Sequence, residues 1–215
     1  MPTRPDRGGR RDHGFSRETQ LGRKIGTRRE RRSVLIVTNG SRTEVDYFEA
    51  LQAESWVTAD KVKVKFEAGE PAAIVIKAAA IRDANEYDEA WVVCDKDEFD
   101  VRTAVERAAA ENMPDRPLTL ALSVPCFEVW LILHLADGCP GFNHAAQVGA
   151  HLKKLVKGWD KRTVKFDDFR AGVDVAVARA KRLGDPPDSN PSTAVWRLIE
   201  SLQATVEQPR PNRPA

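Results

Sequence analysis

Short apolar runs alternate with stretches of helical spacing from Ser33 onward. Val34 to Val37 is continuous, apolar and rich in β-branched residues, and Thr38-Asn39-Gly40-Ser41 closes it with turn chemistry, so a strand is expected. Val45, Phe48 and Leu51 then share one helical face over Thr43 to Leu51, with Ser41 or Thr43 placed to cap it. Val62-Lys63-Val64-Lys65-Phe66 alternates strictly, which predicts a strand with one wet face near a sheet edge. Pro71 suits the first turn of a helix that continues to about Ala84. Trp91 to Cys94 reads as a third strand, Val101 to Asn112 as an Ala-rich helix ended by Met113-Pro114, and Leu118 to Ser123 as a fourth strand. Apolar strands alternating with helices predict an α/β fold, with a mostly parallel sheet and helices on both faces.

The character changes at Phe127. Phe127 to Leu135 is apolar all round and predicts a buried helix. Phe142 to Val156, Val173 to Leu183 and Ser192 to Val206 read as further helices, with Asn190 and Ser192 as caps of the last. The ordered domain is therefore expected over 33–206, with an α/β core over 33–135 and a helical part over 136–206. The Pro-rich tail, 207–215, is expected to fray.

Residues 1–32 follow neither pattern. They carry eleven Lys and Arg against four acidic residues, with almost no apolar side chains, so burial cannot offset the entropy of ordering. The segment is expected to be a mobile basic arm, which suits a phosphate backbone and reads equally as a solubilising tail. Arg28, Arg29, Arg31 and Arg32 at its end, with Arg42 in the first turn, are candidate nucleic-acid contacts. The whole chain has a net charge of only +2, so it is no general polycation.

Other classes drop out. Cys94, Cys126 and Cys139 are widely spaced and odd in number, against a disulfide framework or zinc site. No apolar run reaches the ~18 residues of a membrane span and no signal-peptide core is present, so a cytoplasmic protein without a membrane partner is expected. Walker A, G-x-S-x-G and G-x-G-x-x-G motifs are absent.

The chemistry concentrates where the third strand ends. Asp95-Lys96-Asp97-Glu98 places three carboxylates within four residues, directly after an apolar run. Ligands of open α/β sheets collect at the carboxyl ends of strands, and Asn39 to Glu44 follows the first strand there. An extended D-x-D puts Asp95 and Asp97 on one face, with Lys96 on the other as a solvated side chain. With Glu44 reaching in from the first helical turn, the carboxylates can converge on a hard divalent cation, Mg²⁺ or Mn²⁺. The plainer reading is that acidic residues at strand ends are solvated or cap a helix, as Asp97 or Asp100 can for Val101 to Asn112.

Val34 to Phe48, Tyr87 to Glu98, Ser123 to His134 and Asn190-Pro191-Ser192-Thr193 together resemble, in order, the motifs of the RloB-like family. That family is similar to the Toprim group, so the resemblance implies a Toprim-like (Rossmann-like) sheet. Its members sit in bacterial defence loci, often beside an AAA-type ATPase, and are thought to be the nuclease half of abortive-infection systems. The resemblance implies Asp95 and Asp97 as metal ligands and Glu128 with Ser123 at a neighbouring strand-helix junction, where related nucleases hold a second metal. It also implies Lys161 as the cation that stabilises the charged transition state, with nucleic acid and an AAA-type ATPase as partners; a homo-oligomer is left open.

One position departs from the pattern. Toprim sequences carry Glu directly before the Gly of the first motif, and here that residue is Asn39. Asparagine offers a carbonyl oxygen but accepts no proton, so either Glu44 compensates or the site is degenerate. Three functions follow: a metal-dependent nuclease on DNA or RNA, a non-catalytic nucleic-acid-binding or regulatory partner of an ATPase, and a primase-like nucleotidyl transferase. Outside the motifs, His134 reads as structural and Trp130 as core. Trp159, among Lys157, Lys161 and Arg162, reads either as ordinary surface or as a candidate for base stacking.

Overall fold

The computed structural model describes residues 32–96, 100–162 and 164–204. Five strands form one sheet in the order β2-β1-β3-β4-β5: β1 (Ser33–Thr38), β2 (Lys61–Phe66), β3 (Glu89–Asp95), β4 (Leu118–Val124) and β5 (Ser192–Thr193). The first four are mutually parallel and β5 runs antiparallel to β4.

Strand alternation divides the core. Val34, Ile36, Trp91 and Val93 face α1 (Thr43–Leu51), α4 (Glu128–Leu135), α5 (Ala145–Leu155), α6 (Val173–Arg182) and α7 (Val195–Gln203). Leu35, Val37, Ala90 and Val92 face α2 (Pro71–Ala84) and α3 (Arg102–Glu111). Being buried on both faces is why β1 and β3 read as unbroken apolar runs. β2 is an edge strand, and its lysines lie on the exposed or half-buried positions.

Pro71 opens α2 as expected, and the Asp100 carboxylate, two residues before α3, accepts from the Arg102 N–H at 3.0 Å, while the N-cap position itself is Val101 and makes no side-chain cap. The cap expected at Ser41 or Thr43 is not formed. Thr43 Oγ1 donates instead to the Lys161 carbonyl at 3.2 Å. The last helix also differs from its expectation. Ser192 and Thr193 pair with β4, and α7 begins only at Val195. Neither Asn190 nor Ser192 caps it. Asn190 spans the Phe142 backbone, donating to its carbonyl at 2.7 Å and accepting from its N–H at 3.4 Å, while Ser192 Oγ donates to Ser189 O. The Phe142 end of the preceding segment is loop, not helix, with α5 starting at Ala145.

The connections leaving β1 and β3 diverge. The chain after β1 passes through α1 on one face to β2, and the chain after β3 passes through α3 on the other face to β4. Such a reversal between neighbouring parallel strands opens a crevice at their carboxyl ends.

Candidate functional site

Thr38 and Val93 are paired in the sheet, and the Asn39 N–H donates to Val93 O at 3.0 Å. The ladder therefore continues one step into the turn and fixes where Gly40 lies. A Cβ at Gly40 would sit 1.8 Å from Glu44 Oε2, so the Glu44 carboxylate folds back directly over the Gly40 backbone. Glu44 is only 6% exposed. Among the described residues its carboxylate accepts only from its own N–H.

Asp95 ends β3 on the same sheet face as Val93 and is half-buried. Its Oδ1 accepts the Phe127 N–H at 2.8 Å, which ties β3 to the start of α4. Glu128 is the next residue, 3% exposed, in the first turn of that helix, where the helix dipole favours a carboxylate. Lys161 Nζ meets Glu128 Oε1 at 2.8 Å. Its backbone is the carbonyl that Thr43 holds, so the segment carrying Lys161 is fastened beside Glu44.

The electrostatics follow from this crowding. Burial pushes the Glu44 carboxyl up from 4.5 to about 7, with Glu128 adding to the rise and its own N–H and Lys161 opposing it. Burial, then Glu44 and Glu128, hold Asp95 well above the usual carboxylate range despite the Phe127 N–H. Burial would pull the Lys161 ammonium down, but Glu128 outweighs it and the net shift is upward. Cys126, also buried, is pushed up by burial and by Glu128 and Asp95, so its thiol stays protonated and unreactive.

The structure thus brings together Glu44, Asp95, Glu128 and Lys161, with exposed Arg42 next to Thr43. The Asn39 side chain makes no hydrogen bond among the described residues. Asp97, Glu98, Arg28, Arg29 and Arg31 lie outside the described residues. Ser123 is buried against Thr193, Oγ to Oγ1 at 2.8 Å, and joins β4 to β5. His134 is equally structural. Its Nδ1 lies 2.8 Å from Phe169 O and its Nε2 3.2 Å from Tyr47 Oη, which fits an Nδ1–H donor and an Nε2 acceptor.

Three expectations are corrected. Arg32 lies at the opposite end of β1, where it ion-pairs with Glu89 and donates to Ser201 O at 2.7 Å; held this way, it is not free to meet a phosphate. Trp159 is buried in the core beside Gly149 and offers no stacking platform. Lys96 is not simply solvated: its ammonium is anchored on Pro187 O at 2.9 Å. Gly40 and Thr43 belong to the expected Asn39–Glu44 segment but carry no role of their own in the sequence, and the Phe127 N–H is not indicated there at all. Only Gly40 leaves a sequence signal, as a small residue closing a buried strand.

A model of the RloB-like protein family matches residues 34–202. The chain belongs to the RloB-like family. No curated protein and no solved structure matches it. The family match runs from β1 into α7, so it contains the whole carboxylate cluster and leaves out the basic N-terminal segment. Among the described residues, no helix is long and apolar enough to cross a membrane.

A depression of about 360 Å³ on α6 is lined by Asp137, Asp174, Val175, Ala178, Arg179 and Arg182. It contains none of the cluster residues, and Asp137 already pairs with both arginines.

Proposed function

We propose that this RloB-like protein is a metal-dependent nuclease that cleaves phosphodiester bonds in DNA or RNA as part of an anti-phage, abortive-infection system. The observation that carries the reading is the convergence of Glu44, Asp95 and Glu128 at the carboxyl ends of β1 and β3, where the chain reverses direction across the sheet. The family resemblance supports the defence setting and the AAA-type ATPase partner.

The donor chemistry fits Mg²⁺ or Mn²⁺. All three acidic groups are oxygen donors, and Glu44 is buried with no partner among the described residues beyond its own N–H. Among the described residues, no group of three or more His, Cys, Asp or Glu is arranged to hold a metal. Mg²⁺ needs only one or two carboxylates alongside waters and substrate phosphates, so Glu44 and Asp95 would suffice, with Asp97 as a further candidate. Bound there, the ion would supply Lewis acidity and a water of lowered pKa.

The chain's own residues supply the rest. Without metal, burial raises the Glu44 carboxyl to about 7, so a cation held there would displace its proton, and the carboxylate would then supply the acidic ligand that Asn39 cannot. Lys161 places a positive charge beside the cluster, and exposed Arg42 is available to a phosphate. A second reading, a catalytically degenerate nucleic-acid-binding or regulatory subunit, is favoured by Asn39 standing in the first motif.

The test uses wild type and the Asp95→Ala/Asp97→Ala double variant. Mg²⁺ or Mn²⁺ binding is followed by calorimetry, and nicking of labelled DNA and RNA is followed in the same samples. Metal binding and cleavage by wild type alone is the expected result. Cleavage that survives in the double variant overturns the proposal. Metal binding without cleavage by wild type favours the degenerate reading, in which Asn39→Glu should restore nicking.

A further inference from the structure

Lys161 sits where a cation is needed and is held there unevenly. Its ammonium pairs with Glu128 at 2.8 Å, and Glu128 is almost wholly buried, with the Cys126 thiol as a further side-chain partner. The Lys161 side chain itself is 52% exposed. It belongs to an irregular stretch between α5 and the short helical turn at Phe166–Asp168, so no helix or strand fixes its direction. Its backbone carbonyl is fastened by Thr43 Oγ1, next to Glu44. The root of the side chain is thus tied to the site while its head can swing into water.

We propose that the Lys161 ammonium is a built-in counter-ion of the carboxylate cluster, and that a divalent cation binding at Glu44 and Asp95 displaces it from Glu128. The inference rests on the metal-dependent reading above and adds to it a competition between two cations for one acidic cluster. It explains why three mutually repelling carboxylates coexist in the fold while no chelating group of three is preformed among the described residues. A buried carboxylate left without a partner is costly, so Glu128 keeps Lys161 until another positive charge arrives. Releasing Lys161 costs little in comparison, because its head group is already half in water. The freed ammonium remains tethered at the rim, where an incoming phosphate would meet it. The alternative is a fixed lysine that never leaves Glu128; deleting its charge tightens metal binding in either case, but only displacement makes acylation of Lys161 by an amine-reactive reagent rise with Mn²⁺ in the wild type, and acylation that Mn²⁺ leaves unchanged overturns the proposal.

Lys161→Met keeps the aliphatic stem and removes the charge. Mn²⁺ binding to the full chain is measured by calorimetry for wild type and variant, with thermal unfolding recorded in the absence and presence of Mn²⁺. The variant should bind Mn²⁺ about tenfold more tightly, because a competing unit charge at a partly buried site has been removed. It should melt lower than wild type without metal and regain the difference at saturating Mn²⁺. Equal or weaker Mn²⁺ binding by a folded variant overturns the displacement and leaves the metal-dependent reading standing. No Mn²⁺ binding by either protein overturns both. Should Lys161→Met not fold, Lys161→Gln retains a donor for Glu128 and is held to the same forecast.

Discussion

Glu44 owes its position to Gly40. Any side chain there would occupy the space of the Glu44 carboxylate, so the glycine closing β1 leaves room for an acid one helical turn later. The result is a carboxyl group whose proton is held more tightly in the folded protein than in the unfolded chain. Its pKa is raised from 4.5 to about 7 by burial first and Glu128 second. Between those two pH values the folded state binds more protons than the unfolded state, so stability falls as pH rises. The contribution of Glu44 is fully present below about 4.5 and lost above about 7. Glu44→Gln cannot ionise. Its unfolding free energy, from urea titrations in metal-free buffer at pH 5 and pH 8, should exceed that of wild type at pH 8 by more than at pH 5. An equal difference at both pH values would mean that Glu44 is not the titrating group.

At the scale of elements, α4 is the hub that joins the sheet to the helices behind it. Glu128 stands at its first turn and His134 at its last. His134 links the helix to Tyr47 on α1 and to the Phe169 carbonyl. Burial lowers its pKa to about 4, with Arg179 contributing and the Phe169 carbonyl opposing. The sign is opposite to that of Glu44. Stability from His134 is present above the ordinary 6.5 and is lost as pH falls toward 4, because the unfolded chain takes the proton first. His134→Leu should cost about 1–3 kcal/mol at pH 7.5, since Tyr47 Oη and Phe169 O lose their partner. It should also lose less stability than wild type between pH 7.5 and pH 5. Urea unfolding at both pH values decides this, and an unchanged acid limb would remove His134 as its source.

The same elements show what the sequence could and could not disclose. β1, β3 and β4 were legible because burial on both faces leaves apolar runs, and β2 because one wet face leaves alternation. β5 has only two residues, too few for any period, and its role rests on Ser123 meeting Thr193 from 70 positions away. The polar Asn190 and Ser192 resembled caps because local chemistry favours that use. Asn190 is instead committed to the distant Phe142 backbone. Glu44, Asp95, Glu128 and Lys161 could be named from motif order, but their partners could not. The Phe127 N–H and the Lys161 carbonyl are backbone groups, which carry no sequence identity.

Across the whole molecule, charge is divided between two regions with different work to do. Residues 1–32 carry eleven Lys and Arg against four acids, which leaves the rest of the chain net negative in a protein of overall charge +2. The family domain also contains the buried acids, so it repels a phosphate backbone until cations intervene. Arg32 does not help, because it clasps Glu89 and the end of α7 through Ser201; it belongs to the fold although it follows Arg28, Arg29 and Arg31 in sequence. If nucleic acid is the substrate, its long-range attraction must come mainly from the residues before Arg32. Replacing Arg28, Arg29 and Arg31 together with Gln should weaken binding of a labelled oligonucleotide at low salt. It should also flatten the dependence of log affinity on log salt by roughly 2–3, the share of three phosphate contacts. Fluorescence anisotropy between about 50 and 200 mM salt, with Arg42→Gln in parallel, separates the two regions. A slope that falls only in Arg42→Gln places the phosphate contact at the carboxylate site. A slope unchanged in both removes nucleic-acid attraction from the role of these arginines.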